Sequence, residues 1–363
     1  MISVRHAPGL FILLALTIAG CAQVPRAPTE NEALQAITRS GQWFLRRADQ
    51  KKFLRYEVDP KTGNDMPNNQ ELRKMGALWS IARLASFTGN QELSNLARKG
   101  LAFFDHFRTT DQSGGACFEV SEKKKLGYNA FMILTLLELN EPTNEGSETA
   151  ELADGILRLQ NRDGSYRTYF DDSGSGSEAY YPGEANLALA SLFRKTDDPR
   201  YRGALDLSLP YYRSFWRGNR TLAFIPWHTQ AFALLWEKDR KTEERDFIFE
   251  MNDWLVQQQN SDPSANGYGS FGNAPGISSA SYLEGLIDAV RIAKLSGDTQ
   301  REERYREAAK LGMRFILTLQ VDNVSIPQAN GGFRASADGT VRVDHTQHAV
   351  MALMKAISAE FLR

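Results

Sequence analysis

Leu159-Gln160-Asn161-Arg162-Asp163-Gly164-Ser165-Tyr166 is the stretch whose reading decides the fold. Asn161 to Ser165 is turn chemistry, with Gly164 free to adopt backbone angles that other residues avoid, and Tyr166 is an aromatic ready to pack. The same turn leading to an aromatic returns as Gly114-Gly115 ahead of Cys117-Phe118, as Tyr268-Gly269-Ser270-Phe271 and as Gly331-Gly332-Phe333. Recurrence with a period of roughly 50 residues is the mark of a repeat architecture.

Two kinds of helical pattern alternate around these loops. Segments 30–51, 91–108, 147–161, 199–217, 242–260 and 300–320 mix Lys, Arg and Glu with an apolar stripe, as outer helices with one wet face do. Segments 71–88, 127–140, 182–195, 227–238, 279–296 and 344–362 are small or apolar on nearly every side, as in Asn186-Leu187-Ala188-Leu189-Ala190-Ser191-Leu192, and read as inner helices. The reverse connections are tight: Thr88-Gly89-Asn90, Lys195 to Pro199, and Ser296-Gly297-Asp298 supply C-caps and N-caps back to back. Strand-like alternation is almost absent. One hairpin cannot bury its apolar faces, but six closed into a ring can. The expected fold is all-α: a single (α/α)6 toroid over 30–363, with the first outer helix beside the last inner one.

Six hairpins joined by loops such as 159–166 resemble the α/α-toroid folds. One branch holds the six-hairpin glycosidases, sugar epimerases and related polysaccharide lyases. The other holds the terpene cyclases and prenyltransferases, whose Gln-x-x-Asp-Gly-Ser-aromatic repeat is matched by 160–166. The resemblance implies the toroid more sharply than any one chemistry, because a fold hosts many reactions. The Asp-x-Asp-Asp cluster of the terpene cyclases has only the pairs Asp171-Asp172 and Asp197-Asp198 to answer it, and Cys117 lacks the context of a prenyltransferase zinc ligand.

The N-terminus reads as an export signal: Arg5 and His6, an apolar run over 10–18, then Leu16-Thr17-Ile18-Ala19-Gly20-Cys21. That ending resembles the bacterial lipobox. It implies a signal peptide over 1–20, a lipid on Cys21, a tether over 21–29 containing Pro25 and Pro28, and a membrane anchor. Ala22, where an aspartate would retain the chain at the inner membrane, implies the outer membrane, facing the periplasm. Cys117 is then without a disulfide partner and reads as a small buried hydrophobe. Lys+Arg 43 against Asp+Glu 44 gives no reason to expect nucleic acid. No dinucleotide fingerprint, P-loop or Ser-His-Asp signature is present, so no cofactor is expected; a monomer is expected.

In a toroid the inner-helix N-termini gather at one end with the long loops. Functional residue types concentrate there: Asn68, Asn69, Glu71 and Arg73; Lys125, Tyr128 and Asn129; Glu178, Tyr180, Tyr181, Glu184 and Asn186; Trp227, His228 and Gln230; Ser278, Ser279, Tyr282 and Glu284; Arg334, Asp344, His345, Gln347 and His348. Aromatics beside amides and carboxylates suit a poly- or oligosaccharide. Glu184 and Asp344, on opposite inner helices, are the expected carboxylate pair of a glycoside hydrolase, with His345 beside them and Glu71, Glu178 and Glu284 in reserve. Tyr128, Tyr181, Trp227, His228, Tyr282, Glu284, Arg334 and His348 are the expected substrate contacts. A lyase would use Tyr181, His228, His345 and Arg334. An epimerase of the N-acylglucosamine type would pair histidines, which points to His228 and His348. A non-catalytic glycan- or protein-binding toroid is the remaining alternative. Asp344 reads as a helix N-cap; His345 and His348, three apart, lack the further ligands of a metal site.

Overall fold

The computed structural model describes residues 26–172 and 174–362. Twelve α-helices span them: α1 Glu30–Arg47, α2 Glu71–Thr88, α3 Gln91–Asp105, α4 Leu126–Glu138, α5 Glu148–Arg158, α6 Tyr181–Thr196, α7 Pro199–Gly218, α8 Ile225–Asp239, α9 Thr242–Gln257, α10 Ser278–Ser296, α11 Thr299–Leu317 and α12 Val343–Ser358. The even-numbered helices form a ring, each packed on both neighbours, and α12 closes it on α2. The odd-numbered helices lie outside, each against the inner helix before it, and α1 packs on α12. The chain is thus the expected (α/α)6 toroid. Residue pattern explains the layers. Every residue of α4 from Leu126 to Leu136 is buried, whereas α3 buries only Leu93, Leu96, Ala97, Gly100 and Phe104, a single stripe.

The recurrent loops fasten one outer helix to the next. Gln160 Nε2 donates to Ala204 O of α7 at 2.8 Å, Gln259 Nε2 to Ala308 O of α11 at 2.8 Å, and Gln320 Nε2 to Ala36 O of α1 at 2.8 Å. The glycine that follows each has φ +91°, and a side chain there would collide with the backbone carbonyl of Leu207, Leu311 or Arg39 on the same outer helix. The next aromatic bridges back to the region of the glutamine, as Gln160↔Tyr166, Gln259↔Phe271 and Gln320↔Phe333. The device therefore spaces glutamine and glycine differently in each loop but keeps glycine and aromatic two apart. The third copy is the seam of the ring, where Ser40 Oγ also donates to Gly331 O at 2.8 Å and Trp43 Nε1 to Gln328 O at 2.9 Å.

Several sequence expectations are corrected. The outer helices stop short of 51, 260 and 320, ending at Arg47, Gln257 and Leu317, because the next residues leave the helix to make these ties or ribbons. Among the described residues six strands of two or three residues pair as Ala48–Asp49 with Phe53–Leu54, Glu57–Val58 with Val341–Arg342, and Arg108–Thr110 with Ala116–Phe118; at that length no alternation can show. The last residues of the expected tether are docked, since Pro28 is buried and Thr29 caps α1 through a capping box with Glu32. The expected signal segment 1–20 and Cys21 lie outside the described residues. Cys117 is free and buried, and burial pushes its thiol up to about 11. Among the described residues no helix is long and apolar enough to cross a membrane.

Candidate active site

The first turn of α12 is set by a short ribbon. Glu57 pairs with Arg342 and Val58 with Val341, and Val343 N donates to Tyr56 O at 3.1 Å. This brings residues 288 apart in sequence into contact: Tyr56 Oη donates to Asp344 Oδ1 at 3.2 Å. Arg342 donates to both oxygens of Asp344, through Nε at 3.0 Å and Nη2 at 2.6 Å. Arg73 Nη1 donates to Tyr56 Oη at 3.0 Å and stands 3.4 Å from Asp344 Oδ2. Arg342, not Asp344, occupies the cap position of α12, and Asp344 is buried inside the first turn. Burial by itself raises its carboxyl, but His345, Arg342 and Arg73 outweigh burial and hold it below the ordinary range. His345 is pushed down to about 4 by burial, against the pull of Asp344, so at neutral pH the arginines alone neutralise the aspartate. Burial and then Asp344 push the Tyr56 hydroxyl up to about 12.

One turn further, His348 Nδ1 is 2.7 Å from Glu284 Oε1 of α10. Glu284 is 1 % exposed, and its other oxygen has no hydrogen-bond partner among the described residues. The His348 side chain stays 22 % accessible, which leaves its ring open to a ligand. Trp227 meets it edge to face with centroids 5.9 Å apart, and Phe131 supports Trp227 from behind at 5.7 Å. His345 lies on the same helix, with a buried Nδ1 that has no partner among the described residues.

A second cluster joins the starts of α4 and α6. Glu184 is 4 % exposed and its Oε2 lacks a partner among the described residues. It fits against the backbone of α4 because Gly127 has no side chain; a Cβ there would stand 2.5 Å from Oε2. Burial pushes the Glu184 carboxyl up to about 8, with Lys125 opposing. Tyr128 and Tyr181 are buried around it, and burial raises both hydroxyls. Tyr180, at the cap position of α6, is 47 % exposed.

The sequence-derived set is therefore divided. Trp227, Glu284, His345 and His348 come together, with Asp344 alongside. Glu184, Tyr128 and Tyr181 form the neighbouring buried cluster. Tyr282 is half-buried beside Phe271, with ring centroids 6.4 Å apart. Arg334 stands half-buried on the bridge to Val341, without an ion-pair partner among the described residues. His228 is separate and corrects the expected pairing with His348. It is fully buried, stacked on Phe224 at 3.8 Å with Tyr212 at 5.0 Å, and burial holds its imidazole down to about 3. Two residues escaped sequence reading. Arg342 lay two positions before Asp344 and was legible in principle, whereas nothing local in the sequence ties Tyr56 to the sixth inner helix. Among the described residues no three His, Cys, Asp or Glu side chains converge as metal ligands would.

No family model and no curated protein sequence matches this chain. Solved structures do. A D-mannose isomerase superposes with a TM-score of 0.67 at 15% identity, covering 90% of this chain and 97% of that one. A cellobiose 2-epimerase from Bacillus thermoamylovorans gives 0.67 at 10% identity, covering 91% and 98%. An unsaturated glucuronyl hydrolase from Streptococcus agalactiae gives 0.59 at 12% identity, covering 93% and 94%. At such identities the likeness speaks for architecture, and the architecture is plain: this chain is an (α/α)6 toroid.

Proposed function

We propose that the chain is a sugar isomerase or epimerase that moves a proton at a carbon next to a sugar carbonyl. The observation that carries this reading is the 2.7 Å contact between His348 Nδ1 and Glu284 Oε1 beneath Trp227. A carboxylate on one ring nitrogen orients the imidazole and fixes its tautomer, which leaves the lone pair of the other nitrogen as a general base. In the proposed step His348 Nε2 takes the proton from the carbon α to the carbonyl, the C–H electron pair forms an enediolate, and the charge gathers on oxygen. Arg334, without an ion-pair partner among the described residues, is the cation assigned to that oxygen. The proton held on His348 Nε2 then returns either to the same carbon, giving the epimer, or to the neighbouring carbon as the hydroxyl proton passes between the two oxygens, giving the isomer; His345, neutral at physiological pH, stands beside it on the same helix. Tyr180, exposed, offers a flat surface to a sugar ring, and Trp227, buried, backs the His348 ring.

Hydrolysis by Glu184 and Asp344 is the second reading. One feature favours it: the two carboxyls are driven apart, Glu184 towards its neutral form and Asp344 towards its ion, as an acid–base pair needs. Against it, Asp344 has both oxygens engaged by Arg342, with Tyr56 and Arg73 adding to the load. A base in that position must first lose a partner.

The deciding experiment follows deuterium from D2O into C2 of D-mannose and of cellobiose by NMR. Exchange that falls at least 100-fold in His348→Asn and Glu284→Gln, and persists in Glu184→Gln, supports proton transfer. No exchange, with release of reducing sugar that depends on Glu184, would replace it with hydrolysis. We further propose a lipid on Cys21 that sets this site at the cell envelope, on the lipobox resemblance of 16–21. Mass spectrometry of the membrane fraction tests it, and an unmodified Cys21 or an unprocessed N-terminus would dismiss it.

A further inference from the structure

The inner helices all point their C-termini to the end of the ring away from His348. There the ring holds a chamber of about 650 Å³, floored by Trp79, Leu134, Leu187 and Leu234. Five cationic side chains line it, Arg83, Arg194, Lys195, Arg291 and Lys355, against two carboxylates, Glu138 and Asp288. The carboxylates are already in use: Arg83 lies 3.5 Å from Glu138, while Lys355 and Arg291 share Asp288 at 2.6 and 3.0 Å. Glu237, behind the wall, contacts Arg194 and Arg291. Cations still outnumber anions, and like charges face each other, Arg83 towards Lys355 and Arg194 towards Arg291.

Helix ends explain part of this, since cations near C-termini answer the unpaired carbonyls. They do not explain Gln230. It lies in the N-terminal half of α8 and is 3 % exposed. Its Oε1 accepts from Lys355 Nζ at 2.7 Å, which fixes the orientation of the amide. Its Nε2 is then a buried donor, on the chamber wall, with no partner among the described residues. A buried donor is costly to leave unpaired. Lys355 makes its other bonds to Glu284 O at 3.1 Å and to Asp288, and its ammonium has no lone pair with which to accept from that amide.

We propose that this chamber is a second ligand site, separate from the loop-end site, for a small organic anion. Its carboxylate or phosphate meets Arg83 and Arg194, the Gln230 amide donates to it, and its body covers Trp79 and the leucines, while Lys355 holds the Gln230 amide in place. Planar guanidiniums over an apolar floor suit such a ligand and give a neutral sugar little.

Calorimetric titration of the full chain with glucuronate, glucose 6-phosphate and glucose tests this. At least one anion should bind, with glucose at least 10-fold weaker; which anion wins identifies the head group. Arg83→Gln with Arg194→Gln, both partly exposed and so tolerable to the fold, should weaken the anion at least 10-fold with an unchanged melting profile. His348→Asn should leave anion binding within 2-fold, which keeps this result independent of the loop-end chemistry. Equal binding of glucose, no anion binding, or binding lost with His348 and retained in the arginine variants would each overturn the proposal.

Discussion

Glu184→Gln should stabilise the protein, and by an amount that grows with pH. In the fold the carboxyl is enclosed by the starts of α4 and α6, and burial raises its pKa to about 8 from an ordinary 4.5. Between those values the folded chain holds a proton that the unfolded chain has released. Stability is therefore lost as pH rises from the unfolded pKa towards the folded one, at about 1.4 kcal/mol per pH unit. From pH 5 to pH 7 the wild type should lose about 3 kcal/mol through this one group. Glutamine mimics the neutral carboxyl and does not titrate, so the variant escapes that loss. Urea unfolding followed by circular dichroism at pH 5, 6, 7 and 8 measures the gap between the two proteins, with equal m-values as the control on the denatured state. The gap should be small at pH 5 and widen steadily to pH 8. A gap that stays constant between pH 5 and pH 7 would refute the reasoning, because it would mean that Glu184 is ionised in the fold or reached by water. Lys125→Met sharpens the test: removing the opposing ammonium should carry the loss to higher pH at the same slope.

Other consequences are as direct. His228 is held neutral down to about 3 against 6.5 in the unfolded chain, so its contribution is lost as pH falls through that window. His228→Phe should gain on the wild type by about 2 kcal/mol between pH 6.5 and pH 4.5, and acid unfolding curves that run parallel would contradict its burial. Gln320→Ala removes the ties to Ala36, Ser40 and Gly331 that close the ring. It should cost about 2–3 kcal/mol and raise amide exchange first in α1, where uniform exchange would argue against a seam. Asp344→Asn leaves Arg73 and Arg342 without their carboxylate and should cost about 2–4 kcal/mol, read as a lower denaturant midpoint, with Arg342→Met in the same background restoring part of it if the unpaired charge is the cause.

Much of the fold was legible. The twelve helices stand where alternating amphipathic and wholly apolar patterns put them, since burial on one side or all sides leaves a direct trace in residue order. The recurrent turns were visible as a theme, but the glutamines that tie them down were not. Gln160, Gln259 and Gln320 sit at unequal distances from their glycines, so only contact with the next outer helix reveals that they do the same work. The site was legible as a set of residues at one end of the ring. Its internal partnerships were not: His228 and His348 look alike in sequence, but one faces Phe224 and the other Glu284.

That limit has a physical cause. Pattern along the chain determined which residues are helical, which faces are buried and therefore that the hairpins must close into a ring. A helix turns by 100° per residue, so one step separates Trp227 beside His348 from His228 inside the aromatic wall. Only the closure of the ring, which joins Tyr56 to Asp344 and Glu284 to His348, decided which neighbours each polar group meets. Those neighbours, through burial and charge, decide its protonation and so what it can do.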